Sequence, residues 1–187
     1  MQATDQGTRA RGRRRHVAVP RTLIFVTSQN PETGSQDVLL LKGAPDKRLW
    51  AGLYNGLGGH VEAAEDILSA AERELFEETG LRAVRLCLRG VVHIDTGHDA
   101  HGPRPGVLMF VFTGQSEERA VHATPEGMPE WLPVDGLAEL PLVDDLYAVL
   151  PRALGDGPLF YGHYAPDDAG EMGYRFREEG AEPTRGP

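Results

Sequence analysis

The sequence predicts an α+β fold in which a mixed β-sheet carries helices on its surface. Three observations lead there. Short runs rich in Leu, Ile, Val and Phe, bounded by turn residues, recur along the chain and read as strands. Only two segments, around residues 65–79 and 144–150, show helical spacing of apolar residues, and they lie far apart. No apolar run is long enough to cross a bilayer. Strands of this kind bury their faces under the few helices available, which gives a sandwich of helices on sheet.

The elements follow in order. Residues 1–18 carry Arg9, Arg11, Arg13, Arg14 and Arg15 with little apolar content, and read as a disordered basic tail. A single domain then spans 19–178, and 179–187 is a second frayed end. Residues 22–27 and 38–41 are strands, and SQNPETGSQ between them has the turn composition of a hairpin. Residues 65–79 hold good helix formers and no proline, and Gly80 is placed to end the helix. Leu68, Ala71 and Leu75 make its core stripe. Residues 84–94 alternate as a half-buried strand, with Gly90 marking a bulge and Cys87 expected as a buried thiol. DTGHDAHGPRPG (95–106) is a loop, 107–113 a buried strand and 130–134 a short one. Asp144 can cap a helix that buries Leu146, Val149 and Leu150, and Pro151 kinks or ends it. Residues 159–164 and 173–177 close the chain as a pair of strands.

Composition narrows the function. The net charge of −9 over 187 residues argues against broad nucleic-acid binding, which needs a basic face. It leaves phosphate substrates open, because carboxylates that first take up divalent cations reverse the local sign. The lone cysteine excludes an internal disulfide and a two-cysteine metal site, and suits a reducing cytoplasm. The basic start lacks the apolar stretch of a secretory signal, and no membrane partner is expected. Monomer and homodimer both stay open.

The chemistry concentrates in GHVEAAEDILSAAERELFEETGL, residues 59–81. Glu74, Glu77 and Glu78 fall within a sector of roughly 100° beside the apolar stripe. Three carboxylates at a helix C-terminus repel one another and oppose the dipole, so the cluster implies a cation. Hard oxygen donors of this kind suit Mg2+ or Mn2+. Arg73 can pair with Glu77 or reach back to Glu65. The plainer reading is a solvated acidic face.

These residues fill every defined position of the Nudix box, G-x5-E-x7-R-E-U-x-E-E-x-G-U, with U a bulky apolar residue: Gly59, Glu65, Arg73, Glu74, Leu75, Glu77, Glu78, Gly80 and Leu81. With each fixed residue used at roughly 5–7%, a chance match is well below about one in a million. Ala64 stands where relatives often carry glycine. The resemblance implies a loop–helix–loop on an α/β/α sandwich. It also implies hydrolysis of a nucleoside diphosphate linked to another moiety. It places metal on Glu74, Glu77 and Glu78, with the Gly58 carbonyl joining them, and makes Arg73 and Glu65 an orienting pair. Glu74 and Glu78 are both candidates for the general base.

Flanking segments resemble the MutT-type oxidised-purine triphosphatases, the 8-oxo-dGTP group. Asn55, in WAGLYNGLGG, matches a base-contacting asparagine, although Asn-Gly is also a turn pair. Glu126, five residues before Trp131, matches an outer metal ligand; Trp131 itself is expected in the core. Asp144 and Asp145 resemble two aspartates that hydrogen-bond a purine edge. Phe160 or Tyr161 could stack on a base, with core packing as the alternative. His98 and His101 lack a third ligand at recognisable spacing. The leading expectation is a Mg2+-dependent nucleoside triphosphate pyrophosphohydrolase yielding a monophosphate and pyrophosphate. The same chemistry on ADP-ribose, a dinucleoside polyphosphate or a pyrimidine triphosphate is the alternative. A nucleotide-sensing module without cleavage is the reading of another class.

Overall fold

The computed structural model describes residues 16–45, 50–82, 84–100 and 102–180. Residues 1–15 and 181–187, which hold most of both expected tails, lie outside the described residues, as does His101. Among the described residues ten strands form: β1 (Ala18–Gln29), β2 (Gln36–Gly43), β3 (Tyr54–Asn55), β4 (Cys87–Ile94), β5 (His98–Asp99), β6 (Gly102–Pro103), β7 (Gly106–Gln115), β8 (Gly127–Pro133), β9 (Phe160–Pro166) and β10 (Met172–Glu178). Two α-helices, α1 (Ile67–Thr79) and α2 (Leu146–Leu154), and a 3-10 turn, Val134–Glu139, complete the described elements.

Eight strands make one mixed sheet in the order β10-β9-β4-β7-β1-β2-β3, with β8 also paired to β2. The β1–β7 and β4–β9 pairs are parallel, and the others are antiparallel. The apolar runs are continuous in sequence because the sheet is buried on both faces. Leu23, Phe25, Val38 and Leu40 pack with Val149 and Leu150 of α2. Their neighbours Ile24, Val26, Leu39 and Leu41 pack with Ala71 and Leu75 of α1. The period of two in a strand sends alternate residues to the two helices, and the α/β/α layering follows.

Several boundaries differ from expectation. Asp95–Gly106 was expected as a bare loop, but it contains the small β5–β6 hairpin. Pro151 does not end α2, which runs on to Leu154 with Pro151 on its exposed side. Asp144 is not the cap of α2: the helix starts one residue later, and Asp145 occupies the cap position without a side-chain capping bond. Cys87 is exposed rather than buried. Val84 and Leu86 take the core positions, and the register shift between Leu88 and Gly90 then changes which residues face inward. That shift is the bulge expected at Gly90, where a Cβ would come within 2.3 Å of the Phe160 ring.

Candidate active site

The loop before α1 is zipped onto β1. Leu57 and Ile24 exchange backbone hydrogen bonds of 3.1 and 2.8 Å, the Thr22 N–H donates to the Gly59 carbonyl, and Gly59 N–H donates to Thr22 Oγ1. Gly58 has φ +123°, and a Cβ there would lie 2.4 Å from the Thr22 carbonyl oxygen, so only glycine lets the loop approach this closely. Asp66 then caps α1, accepting from Leu68 and Ser69 N–H at 2.9 and 3.0 Å. The helix therefore begins two residues after the expected Glu65. Gly80 ends it in the left-handed region, as expected, with its N–H on the Phe76 carbonyl.

α1 docks through Ala70, Ala71, Leu75, Glu78 and Thr79. Leu68, expected in this stripe, is 43% exposed in the first turn. Two alanines bring the helix close to the sheet, and Glu78 continues the buried stripe at the i+4, i+3 spacing Ala71, Leu75, Glu78.

The three box glutamates have different surroundings. Glu78 is 7% exposed, and its Oε2 accepts from Gly58 N–H at 2.7 Å. Glu74 packs against Gly59, where a Cβ would sit 2.5 Å from its Oε1. Glu77 stays at the rim with its side chain 55% exposed. Arg73 ties Glu74 and Glu77 to Glu65. Its Nε and Nη2 grip both oxygens of Glu65 at 3.0 and 2.7 Å, Nη1 donates to Glu74 and Glu77 at 2.9 and 3.1 Å, and Nη2 also reaches the His60 carbonyl. This is a forked guanidinium–carboxylate pair. The Arg73 contact, followed by the Glu62 N–H, holds the Glu65 carboxyl below its ordinary pKa. Among the described residues no three His, Cys, Asp or Glu side chains form a ready metal cage. The donor set still suits Mg2+, which keeps several waters and takes only one or two protein carboxylates.

A cleft of about 350 Å³ opens over the loop, lined by Arg21, Leu41, Trp50, Asn55, Gly58, Glu78 and Glu126 among others. Asn55, Gly58, Glu78 and Glu126 come from three separate stretches of sequence, and the fold unites them. Glu126 reaches the cleft because the Thr124–Gly127 turn sets it at the head of β8, whose Gly127 pairs with Gly43 at the end of β2. Asn55 Oδ1 accepts from Gly56 N–H at 2.8 Å, so its Nδ2 donors are what remain for a ligand. Sequence reasoning missed Arg21 and Trp50. Trp50 is 45% exposed with φ +61°, an unusual backbone for a non-glycine residue. Its proximity to the box in the chain was the available signal.

The segment that leads to Asp144 and Asp145 runs beside β3, which carries Asn55, and neither aspartate is among the residues that line the cleft. Tyr54 and Leu142 form a parallel bridge, fixed by Tyr54 N–H to the Pro141 carbonyl and Val143 N–H to the Tyr54 carbonyl. Burial pushes the Asp145 carboxyl upward in pKa, and the nearby Asp144 charge adds to the rise. The buried Tyr164 hydroxyl lies close to Asp145 but short of hydrogen-bond geometry. Phe160 does not belong to the site: it is 1% exposed beneath Gly90, a core residue out of reach of any base. Tyr161 is 42% exposed, since it alternates with Phe160 along β9. Trp131 is half-buried beneath the α1-side core, its indole N–H on the Arg119 carbonyl at 3.0 Å.

Two consequences can be measured. A raised Asp145 pKa means that the folded state opposes ionisation. Above the unfolded value near 3.8 the native state bears that penalty, and below it the penalty vanishes. Asp145→Asn should therefore raise Tm at neutral pH, with the gain disappearing in melts at strongly acidic pH. Arg73→Lys keeps the charge but loses the fork. If the box glutamates bind a divalent metal, turnover should fall about 10- to 100-fold and the metal concentration needed for half-maximal activity should rise, the usual range for removing a partner of metal-binding carboxylates.

A glutamate-bearing loop and helix, laid on one face of a mixed sheet beside a cleft that Glu78 and Glu126 line, make a loop–helix–loop site. The NUDIX domain family model matches residues 19–153, and the chain belongs to the Nudix hydrolase family. It is 30% identical over 152 residues to the oxidized purine nucleoside triphosphate hydrolase of Mus musculus, covering 74% of this chain and 86% of that protein. The protein of the same name from Danio rerio is 32% identical over 108 residues, 51% of this chain and 59% of that one. The MutT protein of Bacillus halodurans superposes with a TM-score of 0.69 at 26% identity, over 84% of this chain and 97% of that one. No helix among the described residues is long and apolar enough to cross a membrane.

Proposed function

We propose that this protein is a Mg2+-dependent nucleoside triphosphate pyrophosphohydrolase acting on purine triphosphates, oxidised forms included, and releasing a monophosphate and pyrophosphate. One observation carries the reading: Asn55, Gly58, Glu78 and Glu126 line a single cleft, and the segment before Asp144 and Asp145 bridges to the neighbouring Tyr54. Donors for metal and the Asn55 amide thus share one cleft. The similarity to oxidised-purine hydrolases supports the same substrate class.

Glu78, Glu126 and the Gly58 carbonyl would hold the metal, with Glu74 and Glu77 beside them, and Mn2+ could replace Mg2+. When bound, the metal neutralises phosphate charge and aligns the phosphoanhydride for in-line attack. Glu78 takes the proton of the attacking water at its carboxylate; it lines the cleft, whereas Glu74 is packed on Gly59. Arg73 and Glu65 fix the helix face against the loop. Asn55 donates to the base through Nδ2, and Asp145 with Asp144 reads the purine edge. A raised pKa helps Asp145 donate as well as accept. The domain spans 19–178, works in the cytoplasm and needs no nucleic-acid partner.

Incubation with Mg2+ and a panel of 8-oxo-dGTP, dGTP, dATP, pyrimidine triphosphates, ADP-ribose and diadenosine polyphosphates tests the reading. The expected result is fastest release of pyrophosphate from a purine triphosphate. Turnover of ADP-ribose with none of the purine triphosphates would refute the substrate. Nucleotide binding without any product would return the protein to a sensing role.

A further inference from the structure

We propose that Arg21 is the phosphate-gripping cation of the cleft, a role that rests on the nucleotide-hydrolase reading above. Arg21 lies in β1 on the face that Leu23 and Phe25 share, and its backbone bridges to His60 of the box loop. Its half-buried side chain lines the same cleft as Gly58, Glu78 and Glu126. Among the described residues its guanidinium makes no hydrogen bond and no ion pair.

The other half-buried arginines among the described residues are all engaged. Arg73 holds three glutamates, and Arg89 donates to the carbonyls of Ala153, Gly155 and Gly157. Arg119 pairs with Asp37 at 2.7 Å, and Arg152 donates to the Ala148 carbonyl. A guanidinium withdrawn from water without a partner is unfavourable, so an unengaged one aimed into a cleft marks the place of an anion. Five N–H donors in a planar fork match two phosphate oxygens at once. Glu78 and Glu126 bring negative charge to the cleft lining, and Arg21 brings a positive charge to the same lining. Glu78 and Glu126 would hold a metal, and Arg21 would take phosphate oxygens that the metal leaves free.

The test uses the full chain with Arg21→Gln and Arg21→Lys, and inorganic tripolyphosphate with Mg2+ as the probe. Losing a hydrogen bond to a charged group predicts a fall of about 10- to 100-fold in kcat/KM for Arg21→Gln, mostly through KM. Tripolyphosphate should inhibit that variant correspondingly less, an uncharged nucleoside should inhibit it as before, and Arg21→Lys should recover part of both losses. Tripolyphosphate inhibition as tight in Arg21→Gln as in the parent overturns the proposal. If Arg21→Gln melts early, Arg21→Lys carries the comparison, and parent-like inhibition with parent-like KM overturns it. If the parent hydrolyses no nucleotide, the hydrolase reading falls by itself, and calorimetry of Mg2+-tripolyphosphate binding to parent and variants still decides the role of Arg21.

Discussion

Glu78→Gln should lower kcat by about 10³-fold, in the middle of the range for removing a positioned proton acceptor, while leaving the fold in place. The physical case rests on what glutamine keeps. Its amide oxygen can still accept from Gly58 N–H, the 2.7 Å bond that ties α1 to the loop, and its volume fits the same 7% exposed position. What disappears is the negative charge and the basic oxygen. KM for the nucleotide should move less than kcat, since the loss falls on the transition state. Steady-state turnover with saturating Mg2+, beside a thermal melt, checks this. Unchanged turnover would remove Glu78 from the reaction; a collapsed melt would show that its charge holds the fold instead.

The second large effect is expected from a residue with no side chain. Gly59→Ala would place a methyl group 2.5 Å from Oε1 and 2.6 Å from Cδ of Glu74. That carboxylate cannot simply swing away, because Arg73 Nη1 holds it at 2.9 Å and only 15% of the side chain is exposed. It must shift and drag the guanidinium that also grips Glu65 and Glu77. A misplacement of about 1 Å at a reacting centre can remove on the order of 10² in rate. The effect should run through Glu74, so the loss from Gly59→Ala should shrink when Glu74 is already alanine and the clash is gone. Equal losses in both backgrounds would mean that the methyl group acts on the loop backbone rather than on the carboxylate.

The box was readable in the sequence because its spacing encodes a helix. Glu65, Arg73 and Glu77 meet by steps along one helix and its approach loop, and such steps are local. The strands were readable for the same reason, their apolar runs being set by burial on both faces. Where expectation failed, a non-local contact decided. Leu68 has the right spacing for the core but overhangs in the first turn. Phe160 matched a base-lining strand, yet Gly90 on β4 leaves a hollow that its ring fills. Cys87 lies in an apolar stretch, but the neighbouring positions are the ones that α1 covers.

The sequence by itself determined the family, the α+β class and the chemical types gathered between Gly59 and Leu81. These depend on residue identity at fixed local spacing, which chain geometry converts directly into a face or a turn. Only the tertiary structure decided how that chemistry is distributed. It drew Glu78 inward onto Gly58, left Glu77 at the rim and brought Glu126 across from the head of β8. It also set Arg21 in the same cleft, without a hydrogen bond or ion pair among the described residues. Each of these depends on sheet order and register between strands distant in the chain, and no short-range spacing carries that information.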